Sequence, residues 1–207
     1  VLNLHKIFFM KKVVFVGSGA IGTAVGNVLA RKGIDDITLL SIEEEVVDSI
    51  NNQRLNINYF PNIKLSRNLK ATTDIEILKD ADVIFMAIPS TAVVGYLFDK
   101  KDYINPKAII VNLAKGFGKG DCLIPNCLVG HFPNTLMMMK GPSFAREIIN
   151  RQETGFTLAC ENNECFGEVA DLFENTNVRF DYSNDINGVE YASILKNIYA
   201  IIIGMLD

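Results

Sequence analysis

The chain is poor in the residues that would mark a special chemistry or compartment. Its 207 residues include 4 cysteines, too few to staple a disulfide scaffold, so a reducing, cytoplasmic setting is expected. Only 6 prolines stand against 15 glycines, and 49% of residues are hydrophobic, which excludes disordered, collagen-like and coiled-coil chains. Positive charge is not in excess: a net charge of −4 leaves no basic footprint, and nucleic acid is not expected as a partner. Long hydrophobic runs are missing as well. The longest, 198–206, falls short of the ~20 residues a bilayer span needs, and 7–10 is too short for a secretory signal. The 2 histidines, His5 and His131, stand apart, and no serine, histidine and acid set emerges.

What is present is a repeated alternation. Apolar runs of four to six residues recur at 13–16, 37–40, 83–88, 108–111, 135–139, 156–159 and 178–181, most of them separated by helix-length stretches. The first helix is expected over 20–32, closed by Gly33 as a left-handed cap. A second is expected from about Glu43, and a later amphipathic one over 165–174. The Asn-rich stretch 52–73 is less periodic and reads as a crossing segment with one short strand. This pattern predicts an α/β fold, a doubly wound, Rossmann-type, mostly parallel sheet. Residues 1–11 read as an extension, 12–184 as the sheet domain, and 185–207 as the first helix of a truncated, all-helical second domain.

Directly after the first strand comes Gly17-Ser18-Gly19-Ala20-Ile21-Gly22, opening the first helix. Gly17 permits the tight turn, Gly19 lets the backbone approach a pyrophosphate, and Gly22 lets helix and strand pack closely. A dinucleotide, NAD or NADP, is the expected cofactor. At the end of the second strand, Ser41 and Ile42 precede Glu43, Glu44 and Glu45. Acids there favour a ribose 2′-hydroxyl over a 2′-phosphate, yet they equally suit the first turn of a helix. The preference leans slightly to NAD.

Ligands of such sheets sit at the carboxyl ends of the strands. Three segments follow strand ends: Pro89-Ser90, then Asn112 to Gly118 containing Lys115, then Gly141-Pro142-Ser143-Phe144-Ala145-Arg146-Glu147. Lys115, flanked by Ala114 and Gly116, has room to approach a ligand. Ser143 is the expected N-cap of a helix with Glu147 in its first turn. Lys196 shares a helical stripe with Val189, Ala192, Tyr199 and Ile203, where burial would bring its ammonium toward proton exchange near neutrality. Snorkelling at a domain boundary is the alternative. Cys122 and Cys127 repeat the spacing of Cys160 and Cys165, but no further ligands cluster with them, so no metal is expected.

Taken together, the glycine loop, Ala114-Lys115-Gly116, Gly141 to Glu147, Gly188-Val189-Glu190 and Leu195-Lys196-Asn197 resemble the bacterial NAD(P)-dependent glycerol-3-phosphate dehydrogenase family, amino-terminal portion. The resemblance implies reversible hydride transfer between NAD(P)H and C2 of dihydroxyacetone phosphate or sn-glycerol 3-phosphate, feeding phospholipid synthesis. It implies Lys196 as the proton-exchanging lysine, Lys115 as a contact of substrate and cofactor, Gly141 and Ser143 as substrate contacts, and Ala20, Ile21 and Ala145 as cofactor contacts. It also implies a following helical domain with an aspartate and an Arg-Asn pair, absent from these 207 residues, so the chain alone is expected to turn over slowly or not at all. The uncovered helix face makes a homo-oligomer the expected state. Other two-domain dehydrogenases, acting on hydroxyacids or sugar nucleotides, and a non-catalytic dinucleotide-binding module are the alternatives.

Overall fold

The computed structural model describes residues 10–33 and 35–205; most of the extension read over 1–11 lies outside them. Among the described residues the strands are β1 (Lys12–Val16), β2 (Asp36–Leu40), β3 (Leu69–Thr72), β4 (Val83–Met86), β5 (Ile109–Asn112), β6 (Leu136–Lys140), β7 (Thr154–Ala159) and β8 (Val178–Ser183). The helices are α1 (Ala20–Lys32), α2 (Glu44–Asp48), α3 (Ser90–Asp99), α4 (Ile124–Leu128), α5 (Ala145–Ile149), α6 (Asn163–Ala170) and α7 (Ile186–Gly204). The strands form one sheet in the order β3-β2-β1-β4-β5-β6-β7-β8. The pairs from β3 to β6 are parallel, β7 runs antiparallel to β6, and β8 is parallel to β7.

Pleating explains why the central strands are apolar throughout. Val13 and Phe15 of β1 point into the layer that holds α1, α5 and α6, whereas Val14 and Val16 point into the layer of α3 and α4. Register makes the packing specific: Phe15 lies opposite Phe85 on β4, and their rings stack at 4.5 Å. Phe173 then meets Phe85 edge to face at 6.2 Å, a favoured aromatic geometry.

The first β-α turn is set by glycine. Gly17 adopts φ +109°, and a Cβ there would stand 2.7 Å from the Ala87 carbonyl oxygen at the end of β4. A Cβ on Gly22 would run into the Gly17 carbonyl oxygen and lie 3.0 Å from Ala87 Cβ. Gly33 closes α1 at φ +75°. The phosphate loop is thus tight at its start and pressed against β4 through its helix.

Several expectations change. The stretch read as a helix over 165–174 is α6 followed by a 3₁₀ turn, Asp171–Phe173, because Asp171 begins tighter bonding that delivers Phe173 to the core. The cysteines are not all unpaired: Cys122 and Cys127 form a disulfide, since the turn closed by the Gly118 N–H donating to the Cys122 carbonyl brings Cys122 beside α4. Cys160 and Cys165 are free and buried.

Candidate active site

The site is built from the carboxyl ends of β1, β4, β5 and β6. A cleft of about 440 Å³ opens there, lined by Gly19, Ala20, Ile21, Ser90, Lys115, Ser143 and Ala145 among others. The first turn of α1 forms one wall. Gly19 is its N-cap and offers no side-chain acceptor, so the opening N–H groups of α1 keep their donor capacity for an anion. That bare, glycine-shaped helix start fits a dinucleotide pyrophosphate. Gly17 and Gly22 shape the loop from behind the cleft surface.

Beneath the loop lies a polar latch that sequence reading did not single out. Asn56 is buried, and its Nδ2 donates to the Ser18 carbonyl and to Thr23 Oγ1, both at 2.8 Å. Thr23 Oγ1 donates in turn to the Ser18 carbonyl at 3.0 Å. Ser18 Oγ and Ser41 Oγ are 2.7 Å apart, tying the loop to the end of β2. Beside them Ser41 Oγ accepts from the Glu43 N–H at 3.1 Å, and Glu43 Oε2 accepts from Asn58 Nδ2 at 3.3 Å. Ile42, 96% exposed, stands outside this network. Glu43 is therefore held at the end of β2 as the residue before α2, with no side-chain bond capping that helix, whose first-turn acids are Glu44 and Glu45.

The opposite wall carries the cations. Lys115, half-buried, donates from Nζ to the Ser143 carbonyl at 3.2 Å. Burial holds its ammonium below the ordinary lysine value, and the nearby Lys196 charge pushes in the same direction. Lys196, on α7, lies with Nζ 5.3 Å from the centre of the Phe144 ring, within cation–π reach, and Phe144 lines the cleft. Lys115, from the end of β5, lines the cleft, and Lys196, from α7, stands beside the rim over Phe144 within electrostatic reach of it.

Two site expectations, the capping role of Ser143 and the stripe of Lys196, are corrected, and Gly141 gains a packing role beside the substrate contact expected of it. Ser143 is not an N-cap: Phe144 precedes α5, and Ser143 is buried with its hydroxyl turned toward the Gly141 carbonyl. Gly141 is required by packing, because a Cβ there would collide with the Gly155 carbonyl oxygen and lie 3.1 Å from Phe156 Cα on antiparallel β7. The stripe of Lys196 is not a buried face. Ala192 and Tyr199 are exposed, and α7 instead turns Glu190 fully inward against Lys140 at the end of β6. The side chain of Ile203 lies outside the described residues.

A doubly wound sheet with a glycine-lined helix start and two amines across the strand ends defines a dinucleotide-binding domain of the dehydrogenase kind. The family described as NAD-dependent glycerol-3-phosphate dehydrogenase N-terminus matches residues 12–166. Glycerol-3-phosphate dehydrogenase (NAD(P)+) of Leptospira biflexa serovar Patoc is 38% identical over 202 residues, covering 95% of this chain and 60% of that protein. The Bacillus subtilis enzyme of the same name is 35% identical over 204 residues, covering 96% and 59%. The crystal structure of glycerol-3-phosphate dehydrogenase from Coxiella burnetii superposes with a TM-score of 0.82 at 28% identity, covering 89% of this chain and 57% of that one. The chain belongs to the NAD-dependent glycerol-3-phosphate dehydrogenase family, and it spans about 60% of the length of the curated relatives it matches.

Proposed function

We propose that this chain is the dinucleotide-binding portion of a glycerol-3-phosphate dehydrogenase, reducing dihydroxyacetone phosphate at C2 to sn-glycerol 3-phosphate and reversing the reaction, for glycerophospholipid synthesis. The observation that carries this reading is a cleft with the phosphate loop on one wall and Lys115 on the other, with Lys196 beside its rim over Phe144 and close enough for its charge to act on Lys115. A bound reduced nicotinamide supplies the hydride. Gly17, Gly19, Ala20, Ile21 and Gly22 would hold its pyrophosphate, with Ala145 at the facing wall. Reduction of a ketone needs a proton at the carbonyl oxygen, and Lys196 is the group assigned to deliver it and to stabilise the developing oxyanion. Lys115, with the Ser143 segment it bonds, would orient the substrate, whose phosphate dianion suits a mouth holding two cations.

Glu43, fixed by Asn58 beside the end of β2, supports NADH over NADPH, since its charge repels a 2′-phosphate. A cytoplasmic location belongs to this reading; the free, buried thiols of Cys160 and Cys165 accord with it, whereas the Cys122–Cys127 disulfide runs against a reducing setting. Among the described residues no helix is long and apolar enough to cross a membrane. Assembly with a second copy is the expected state of the isolated chain.

The reading is tested on the full gene product. Lys196→Ala should lower kcat for dihydroxyacetone phosphate reduction by about 10²- to 10⁴-fold, the range for loss of a general acid, with NADH affinity retained. Unchanged turnover overturns it. Calorimetric titration of the 207-residue chain should give heat with NADH and weaker binding with NADPH; heat with neither overturns the loop assignment.

A further inference from the structure

Lys140 and Glu190 lie outside the glycine loop and the cleft lining, yet they join its parts. Lys140 is the last residue of β6 and Glu190 stands in the second turn of α7; their side chains are 3% and 0% exposed, with Nζ 2.9 Å from Oε2. The same ammonium donates to the carbonyl of Ala114, the residue before Lys115. The residue after Lys140 is Gly141, which opens the Ser143 segment. One nitrogen therefore ties together the three segments that carry Lys115, Ser143 and Lys196.

Stability alone does not account for this arrangement. Desolvating two charges costs about as much as their attraction returns, and well-packed apolar residues commonly hold such a junction as well or better. Both groups register the cost: burial pushes the Glu190 carboxyl up and the Lys140 ammonium down, and the neighbouring Lys115 charge lowers Lys140 further. Both Glu190 carboxylate oxygens are buried without an aligned hydrogen bond among the described residues, Oε2 meeting Lys140 as an ion pair, and Ser193 Oγ, one turn along the same helix, is buried without a partner too. What the pair does provide is placement. Lys115 and Lys196 repel each other, and Lys196 rides on α7 roughly 9 Å along the axis from Glu190. Without an inward anchor on that helix, repulsion favours its moving away from the sheet.

We propose that Lys140 and Glu190 are positioning residues whose ion pair clamps α7 to the end of β6 and so fixes the spacing of the Lys115 and Lys196 amines across the cleft mouth. The proposal rests on the function assigned above, because the spacing it sets is the one presented to a phosphate-bearing ketone.

The test uses the full gene product and the double variant Lys140→Met with Glu190→Leu, which removes both charges together and leaves neither stranded. It should melt cooperatively near the parental temperature and bind NADH with parental affinity. Its kcat for dihydroxyacetone phosphate should fall about 100-fold, the usual loss from a misplacement near 1 Å, with a smaller change in KM. A short amine-to-amine crosslinker, mapped by peptide mass spectrometry, should join Lys115 to Lys196 in the parent and fail to do so in the double variant. Glu190→Gln, which keeps the shape but not the charge, should lose the crosslink as well; if it fails to fold, the double variant decides. Parental crosslink yield in the folded double variant overturns the proposal, whatever the turnover. A parent that crosslinks but never reduces dihydroxyacetone phosphate counts against the assigned function instead, and the crosslink comparison still decides the clamp.

Discussion

At the scale of single residues, Lys115 shows how the site trades stability for charge. Its ammonium is held below the ordinary lysine value by burial and by Lys196, so at neutral pH the folded chain bears a cationic group that the unfolded chain solvates better. The sign of the pH effect follows. Between the lowered folded value and the ordinary value near 10.4, the unfolded state binds more protons, so the destabilisation is fully present below that window and disappears as pH rises through it. Lys115→Met should therefore raise stability at pH 7, on the order of 0.5 kcal/mol once solvent screening of a half-exposed group is allowed for, and the gain should fade above about pH 10. Urea unfolding at the two pH values measures it. The same substitution should weaken substrate binding, which separates the residue's cost from its use.

At the scale of elements, the phosphate loop depends on a segment far from it in sequence. Asn56 stands between β3 and a π-helical turn, Ser49–Gln53, that follows α2, and it supplies the donors that hold the Ser18 carbonyl and Thr23 beneath the loop. Asn56→Ala should remove the donor to Thr23 Oγ1 and leave the Ser18 carbonyl held by Thr23 Oγ1 alone, costing about 1–2 kcal/mol in urea denaturation. NADH affinity, read by fluorescence titration, should fall as the first turn of α1 loses its support; parental affinity would show that the glycines alone hold the loop. This element also marks where sequence reading stopped. The central strands were legible to within a residue or two because parallel strands buried on both faces must be apolar throughout, and the loop was legible because its glycines answer to steric limits within five residues. Strand β3 has only Leu69 and Ala71 buried, and nothing in the composition of β7 encodes its antiparallel direction. Asn56 and Lys140, and the burial of Glu190, which was noted only within a motif, were missed for a shared reason: a polar residue is expected at the surface, and only a partner distant in sequence makes its burial tolerable. Lys196 was singled out in the sequence and lies over Phe144 at the cleft rim, but the face on which α7 packs was not legible, because that helix is apolar nearly all round.

At the scale of the whole molecule, that same helix leaves a surface that no described residue covers. Tyr191, Leu195, Tyr199 and Ile202 are exposed along the side of α7 turned from the sheet, and Met205 just after its end, with Tyr199 at 59% and Met205 at 81%. Contiguous apolar surface of this kind is uncommon on soluble monomers and usually marks a contact with more protein. The curated relatives are longer than this chain, whose match spans about 60% of their length, so added chain and a second copy are both able to cover the face. The two are separable. Sedimentation velocity of the 207-residue chain across a dilution series should show reversible, concentration-dependent association, and Leu195→Glu with Ile202→Glu should return it to a monomer. The full gene product should leave those two positions protected from solvent even when diluted to its smallest species, as read by hydrogen exchange along α7. A 207-residue chain that stays monomeric at every concentration would mean that the face tolerates water unaided. The placement of Lys196 would then rest on the Lys140–Glu190 clamp from the sheet side alone, and the loss on breaking that clamp should be larger in the short chain than in the long one.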